Sequence, residues 1–289
     1  MRVIDANLGE VRALAVSPDV RFVAASGDAL GAFRWASGEP LPHVQGHRGS
    51  DQVAYDPVSA WIAHVSRSEL YLVEGSTAYR PPRNAALRFS GGIAVSPDGK
   101  ALVATTTHTS GEKLLRWALP GLRPLSGFDY WPPCEKLSFS PDGEFLAGIW
   151  SAGFELRFAA SGGLDYRHRM PPGVYYKRPG FVSFSRDSGT CAFGWEDEFH
   201  VLDVSTGTSR PLRRVKARFT DAAFLAGQDA FATVGGDGRL KRWNPETWAM
   251  VREYDWGCGP LTCLAFSADG SAGVCGTADG KLVQFDVDE

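Results

Sequence analysis

A turn of the form Ser-x-Asp returns along this chain at almost even intervals, and that spacing restricts the fold more than any other feature. It stands at Ser17-Pro18-Asp19, Ser96-Pro97-Asp98, Ser140-Pro141-Asp142, Ser185-Arg186-Asp187 and Ser267-Ala268-Asp269, with worn copies at Asp56-Pro57 and Leu225-Ala226-Gly227. The first residues of these seven turns lie 39, 40, 44, 45, 40 and 42 residues apart. A short apolar run precedes each one. In the last and clearest copy, runs at Leu261–Phe266, Ala272–Cys275 and Lys281–Phe285 are separated by Ser267-Ala268-Asp269-Gly270 and Ala278-Asp279-Gly280. Asp-Gly tolerates positive φ and suits tight hairpins, so the copy reads as a three-stranded antiparallel meander without a helix. Such a unit cannot bury both its faces alone, and a series of them buries each face against a neighbour.

The two ends of the chain complete the pattern. Asp5–Asp19 aligns without gaps to Asp255–Asp269, with six identities in fifteen positions. The last copy stops at Glu289 one strand short, and Arg2-Val3-Ile4-Asp5 falls where that strand is needed. The N-terminal strand is therefore expected to complete the last unit and close the ring, which leaves only short, protected edges.

The third runs end in Arg34-Trp35, Arg116-Trp117, Arg157-Phe158, Leu202-Asp203, Arg242-Trp243 and Phe285-Asp286, and the turns before three of them carry Asp28, Asp237 and Asp279. A single Gly-His pair stands at Gly46-His47. With a period of about 40–45 residues and four strands per unit, this pattern resembles the WD40-repeat family along the whole chain. The resemblance implies an all-β, seven-bladed WD40-like β-propeller and a non-enzymatic platform that holds other proteins. At 289 residues, seven blades of about 41 use the entire chain, so residues 1–289 are expected to form one propeller domain.

Composition narrows the function. With 44% hydrophobic and 12% aromatic residues the chain is an ordinary globular one, and a net charge of −3 argues against bulk binding of nucleic acid or anionic membrane. The N-terminus has no long apolar segment, and no run approaches the 18 or more apolar residues of a membrane span. Five cysteines without CxxC spacing suggest reduced thiols and a cytoplasmic protein. It is expected to act as a monomeric propeller or as a subunit of a complex.

The connections between blades hold the unusual residues. Tyr79-Arg80-Pro81-Pro82-Arg83, Tyr130-Trp131-Pro132-Pro133 and Arg169-Met170-Pro171-Pro172 each contain a Pro-Pro pair, and the last runs on to Tyr175-Tyr176-Lys177-Arg178. Later connections carry Arg213-Arg214-Val215-Lys216-Ala217-Arg218 and Asp255-Trp256-Gly257. In a propeller these loops emerge on one face. Stiff proline loops lose little entropy on binding, and Tyr, Trp and Arg are enriched at interface hot spots. Tyr79, Arg80, Arg83, Tyr130, Trp131, Tyr175, Tyr176, Lys177, Arg178 and Trp256 are the expected docking residues for a protein or peptide of acidic character. Their alternative role is to cap the blade ends. Glu196-Asp197-Glu198 falls on the same face and makes it mixed in charge.

Other constellations are weaker. Cys263 and Cys275 stand symmetrically about Asp269 and are expected to face each other across adjacent strands, as a redox pair, as thiolate metal ligands or as two small buried residues. The histidines show no HxH or HExxH spacing, and His108 and His168 are expected in loops. Gly235-Gly236-Asp237-Gly238 opens a hairpin, so it is no phosphate cradle, and no G-x-S-x-G elbow is present. No catalytic residue, metal ligand or cofactor is assigned. The competing reading is a propeller enzyme of the metal-dependent hydrolase or lactonase type with its site at the central channel. It needs Asp, Glu, Asn or His at the inner strands, where this sequence mostly places Ala, Leu, Val, Phe and Ser.

Overall fold

The computed structural model of the chain describes residues 1–41, 52–55, 61–66, 69–74, 77–79, 88–108, 111–119, 121–129, 131–170, 178–195, 198–212, 219–225 and 230–287. These form a seven-bladed β-propeller of six four-stranded antiparallel sheets and one three-stranded sheet, with no helix among the described residues. The innermost strands of blades 1 to 7 are Ala13–Val16, Val53–Tyr55, Arg88–Val95, Lys136–Phe139, Pro179–Phe184, Phe219–Phe224 and Leu261–Phe266. Each touches the innermost strand of the blades before and after it, and blade 7 touches blade 1, so the ring is closed.

Closure is made as the chain ends suggest. Arg2–Asp5 is the outermost strand of blade 7, in antiparallel register with Lys281–Asp286, from Arg2 opposite Gln284 to Asp5 opposite Lys281. The Arg2 guanidinium then reaches blade 1, donating to the carbonyls of Trp35 and Ala36. Blade 1 has three described strands, and its outer pairing begins with a single bridge between Phe33 and Pro40. The outer strand expected near Leu41–Val44 lies, past Leu41, outside the described residues.

The core is not one mass but a ring of seams. The described residues form seven buried clusters, one between each pair of neighbouring blades. The seam of blades 7 and 1 holds Val11, Val23, Phe33, Cys263 and Leu282, for example, and that of blades 4 and 5 holds Phe154, Phe184, Phe193 and Trp195. Alternation along every strand sends one side chain to each neighbouring seam, which is why the second and third strands are apolar nearly throughout.

The Ser-x-Asp turn recurs because it closes the first hairpin of a blade by side-chain hydrogen bonds. In all five full copies the serine hydroxyl donates to the aspartate Oδ1 at 2.5–2.8 Å and accepts the backbone N–H five residues on at 2.9–3.0 Å. The residue after the aspartate takes positive φ each time: Val20, Gly99, Gly143, Ser188 and Gly270. Glycine does this without strain; Val20, at φ 54°, carries a β-branched side chain where it crowds the backbone.

These contacts also hold the turn carboxylates below the usual range. At Asp98, Asp187 and Asp269 the serine hydroxyl is the largest cause and a backbone N–H the next. At Asp19 and Asp142 burial pulls upward first, yet the same bonds prevail. A carboxylate lowered in the folded state stabilises above its unfolded pKa, and that contribution disappears as pH falls through the folded value. Urea melts from pH 7 to pH 2 are therefore expected to show a flat midpoint down to about pH 4 and a fall below it. Val20→Gly is expected to raise stability by about 1 kcal/mol, the αL strain relieved less the extra freedom of glycine in the unfolded chain; a denaturation midpoint below the parent's would show that Val20 is not strained.

Candidate functional site

Two regions collect polar or aromatic side chains: the end of the ring where the blades connect, and the central channel. Antiparallel order within each blade puts the end of the outer strand and the start of the next inner strand at the same end of the ring. Tyr79, Arg178 and Trp256 flank these connections and are described; Arg80, Arg83, Tyr130, Tyr175, Tyr176 and Lys177 lie outside the described residues, as do Glu196 and Asp197. Tyr79 ends an outer strand, is 41% exposed and rests its ring 5.1 Å from that of Trp61. Arg178 is exposed. Trp256 is half-buried at the seam of blades 6 and 7, its ring 4.9 Å from Phe285 and 5.8 Å from Tyr254.

Trp131 is a correction. It is fully buried in the seam of blades 3 and 4 and offers nothing to a partner at the surface. The Arg157 guanidinium lies 4.9 Å over its ring. Arg157 is itself paired with buried Glu155 at 2.7 Å, and Glu155 also binds Arg167 at 2.6 Å. A large ring next to a seam loses more by staying in water than a stiff loop loses by turning it inward. Proximity to Pro132-Pro133 marked the loop correctly but not the direction of the ring.

Two further expectations change. Cys263 is opposite Gly276 and Cys275 opposite Leu264, because the strand Leu261–Phe266 is bulged at Thr262. A register one residue from symmetric turns the two thiols to opposite faces of the sheet, Cys263 into the seam with blade 1 and Cys275 into the seam with blade 6. Burial raises both thiols, Cys263 to about 12 and Cys275 well above its ordinary value, so neither is a thiolate at neutral pH. His108 and His168 lie in strands, Ala101–His108 and Leu164–Arg169. The His168 ring sits 4.5 Å from that of His200, which is stacked on Phe193. No three His, Cys, Asp or Glu side chains converge as metal ligands among the described residues.

The channel holds what the sequence did not single out. Two residues before each turn, the inner strands carry Ala15, Ala54, Ala94, Ser138, Ser183, Ala223 and Ala265, all small. Four before the turn stand Ala13, Gln52, Gly92, Lys136, Phe181, Asp221 and Cys263, so long polar side chains appear on blades 2, 4 and 6 only. A cavity of about 210 Å³ opens here, lined among others by Arg12, Gln52, Lys136, Ser183 and Asp221. Gln52 accepts from the Ile93 N–H of blade 3 at 2.9 Å and donates to the Leu137 carbonyl of blade 4 at 3.0 Å. Asp221 accepts the N–H groups of Leu264 and Ala222 at 3.0 Å, and Lys136 reaches it from blade 4 at 3.4 Å. Burial pushes the Asp221 carboxyl above its usual range, with Lys136 and the two N–H groups opposing the shift.

Hydroxyls continue the stitching around the ring. The bulge residues Thr220 and Thr262 donate to Leu261 and Val11 in the following blades, the first at 2.7 Å. In blade 3, Thr105 donates to the Cys134 carbonyl at 2.8 Å beside Gly92, whose N–H bonds the same oxygen at 3.0 Å. A Cβ on Gly92 would fall 2.5 Å from that oxygen, so only glycine lets the two inner strands approach.

No family model matches this chain, and no curated protein matches it in sequence. No helix among the described residues is long and apolar enough to cross a membrane. The corrected position of Trp131 has a direct consequence. Trp131→Ala is expected to remove about 3–5 kcal/mol of stability in chemical denaturation, as core aromatics do. A loss near zero would return the ring to the surface.

Proposed function

We propose that this protein is a non-enzymatic propeller scaffold, similar in kind to the WD40 repeats its sequence resembles, which holds a protein or peptide of acidic character on the end of the ring where the blades connect. The observation that carries this reading is convergence: in each of the six four-stranded blades, strand direction ends the outer strand at the same end of the ring where the next inner strand starts. The sequence concentrates cations in three of these connections, with Arg80 and Arg83 after blade 2, Lys177 and Arg178 after blade 4, and Arg213, Arg214, Lys216 and Arg218 after blade 5. Tyr79 supports the reading further. Its ring is held against Trp61, so it has little freedom left to lose, and its outer side is open. The charge arrangement favours an acidic partner by steering and by rim complementarity.

The test uses residues outside the seams, so that lost binding is not lost folding. Affinity capture from the native extract is compared for the parent and the double variant Tyr79→Ala, Arg178→Ala, with mass spectrometry as the readout. The expected result is a specific partner lost from the variant, whose thermal melt matches the parent's. Equal capture by both would move the partner to another surface.

A further inference from the structure

We propose that the central channel is a binding site for a small free carboxylate, anchored by the ammonium of Lys136. The argument rests on which hydrogen-bonding capacity in the wall is already committed. Both Asp221 oxygens accept a backbone N–H, at 3.0 Å each. The Ser183 hydroxyl accepts the Phe224 N–H at 3.0 Å, which leaves its own hydrogen to donate. Lys136 has three N–H donors, and among the described residues its ammonium approaches Asp221 at 3.4 Å, long for a charge-assisted bond. Lys136 and Ser183 thus bring N–H and O–H groups into this wall, and the Lys136 donors carry a positive charge. The complementary ligand is an anion rich in acceptors.

Shape sets its size. Around Lys136 the cavity is lined by small residues, Ala13, Ser183, Ala222 and Ala223, and by apolar Leu14 and Leu264 among others. The cavity, about 210 Å³ and open to one side, suits a ligand of a few non-hydrogen atoms. Acetate, pyruvate and succinate are of that order. A carboxylate accepts from more than one donor, and Lys136 and Ser183 line the same cavity from neighbouring blades, 4 and 5. Placed there it competes with Asp221 for Lys136, whose contact with Asp221 is a long 3.4 Å.

The site is independent of the partner-holding face, so the two assignments fail separately: Tyr79→Ala with Arg178→Ala is expected to leave carboxylate binding unchanged. Acetate, pyruvate and succinate are titrated against the folded full chain at ionic strength held constant with sodium chloride, with heat of binding and thermal midpoint as readouts. A saturable response to at least one acid is expected, weakened tenfold or more in Lys136→Met. Asp221→Asn removes the competing carboxylate and is expected to bind about fivefold more tightly, the worth of one partly exposed ion pair. That gain cannot come from misfolding, so the assignment stays testable if Lys136→Met proves unstable. No saturable response to any of the three acids, an equal response in Lys136→Met, or no tightening in Asp221→Asn overturns it. A capped Gly-Glu-Gly peptide that binds through Lys136 where the free acids do not overturns it equally, since the carboxylate would then belong to a docked chain.

Discussion

A four-stranded sheet with two apolar faces has to cover both of them, and nearly every feature of this protein follows from that demand. Each blade covers one face of the blade before and one face of the blade after, and the buried residues separate into seven seams instead of one core. An open row of such sheets would leave two apolar faces in water. Closing the row covers them, and the strand Arg2–Asp5 does so by non-covalent pairing with Lys281–Asp286. Stability in this architecture is therefore divided among neighbours, and the pairing of the two chain ends joins the seam of blades 7 and 1 and the Thr262–Val11 hydrogen bond in turning a row into a ring.

Closure has a second effect at the centre. Seven inner strands meet around the channel with one edge each facing it, and their backbone groups there need partners. Threonine hydroxyls at the bulges of blades 6 and 7 and the side chains of Gln52 and Asp221 answer this from blade to blade. Four residues before the turn, blades 2, 4 and 6 carry the long polar side chains Gln52, Lys136 and Asp221, and Arg12 of blade 1 joins them in lining the cavity. The same arrangement brings the Lys136 donors into the cavity, so a structural belt and a binding site share residues.

The end of the ring where blades connect shows how a seam competes with a surface for aromatic residues. Trp131 and Trp256 stand in connections that the sequence marks as exposed, yet one is buried in a seam and the other half-buried beside Phe285 and Tyr254. Tyr79, whose hydroxyl tolerates water at one end, keeps 41% of its surface. In a fold made of narrow seams, any large ring near a blade end has apolar surface within reach, and the residues left for a partner are those with charge or a hydroxyl.

Much of this architecture was legible in the sequence because it is local and repeated. The spacing of the Ser-x-Asp turns, the glycines after three of them and the missing last strand determined seven blades, antiparallel hairpins and closure by the N-terminus, since a turn's geometry depends on residues within five positions of it. The site depended on contacts no local pattern encodes. Lys136 and Asp221 are 85 residues apart and meet only because blades 4 and 6 face one channel. The faces of Cys263 and Cys275 were decided by one bulged residue, since a strand's side-chain period is two and a shift of one reverses every direction. The inward turn of Trp131 needed the seam between blades 3 and 4, which exists only once both blades are folded against each other.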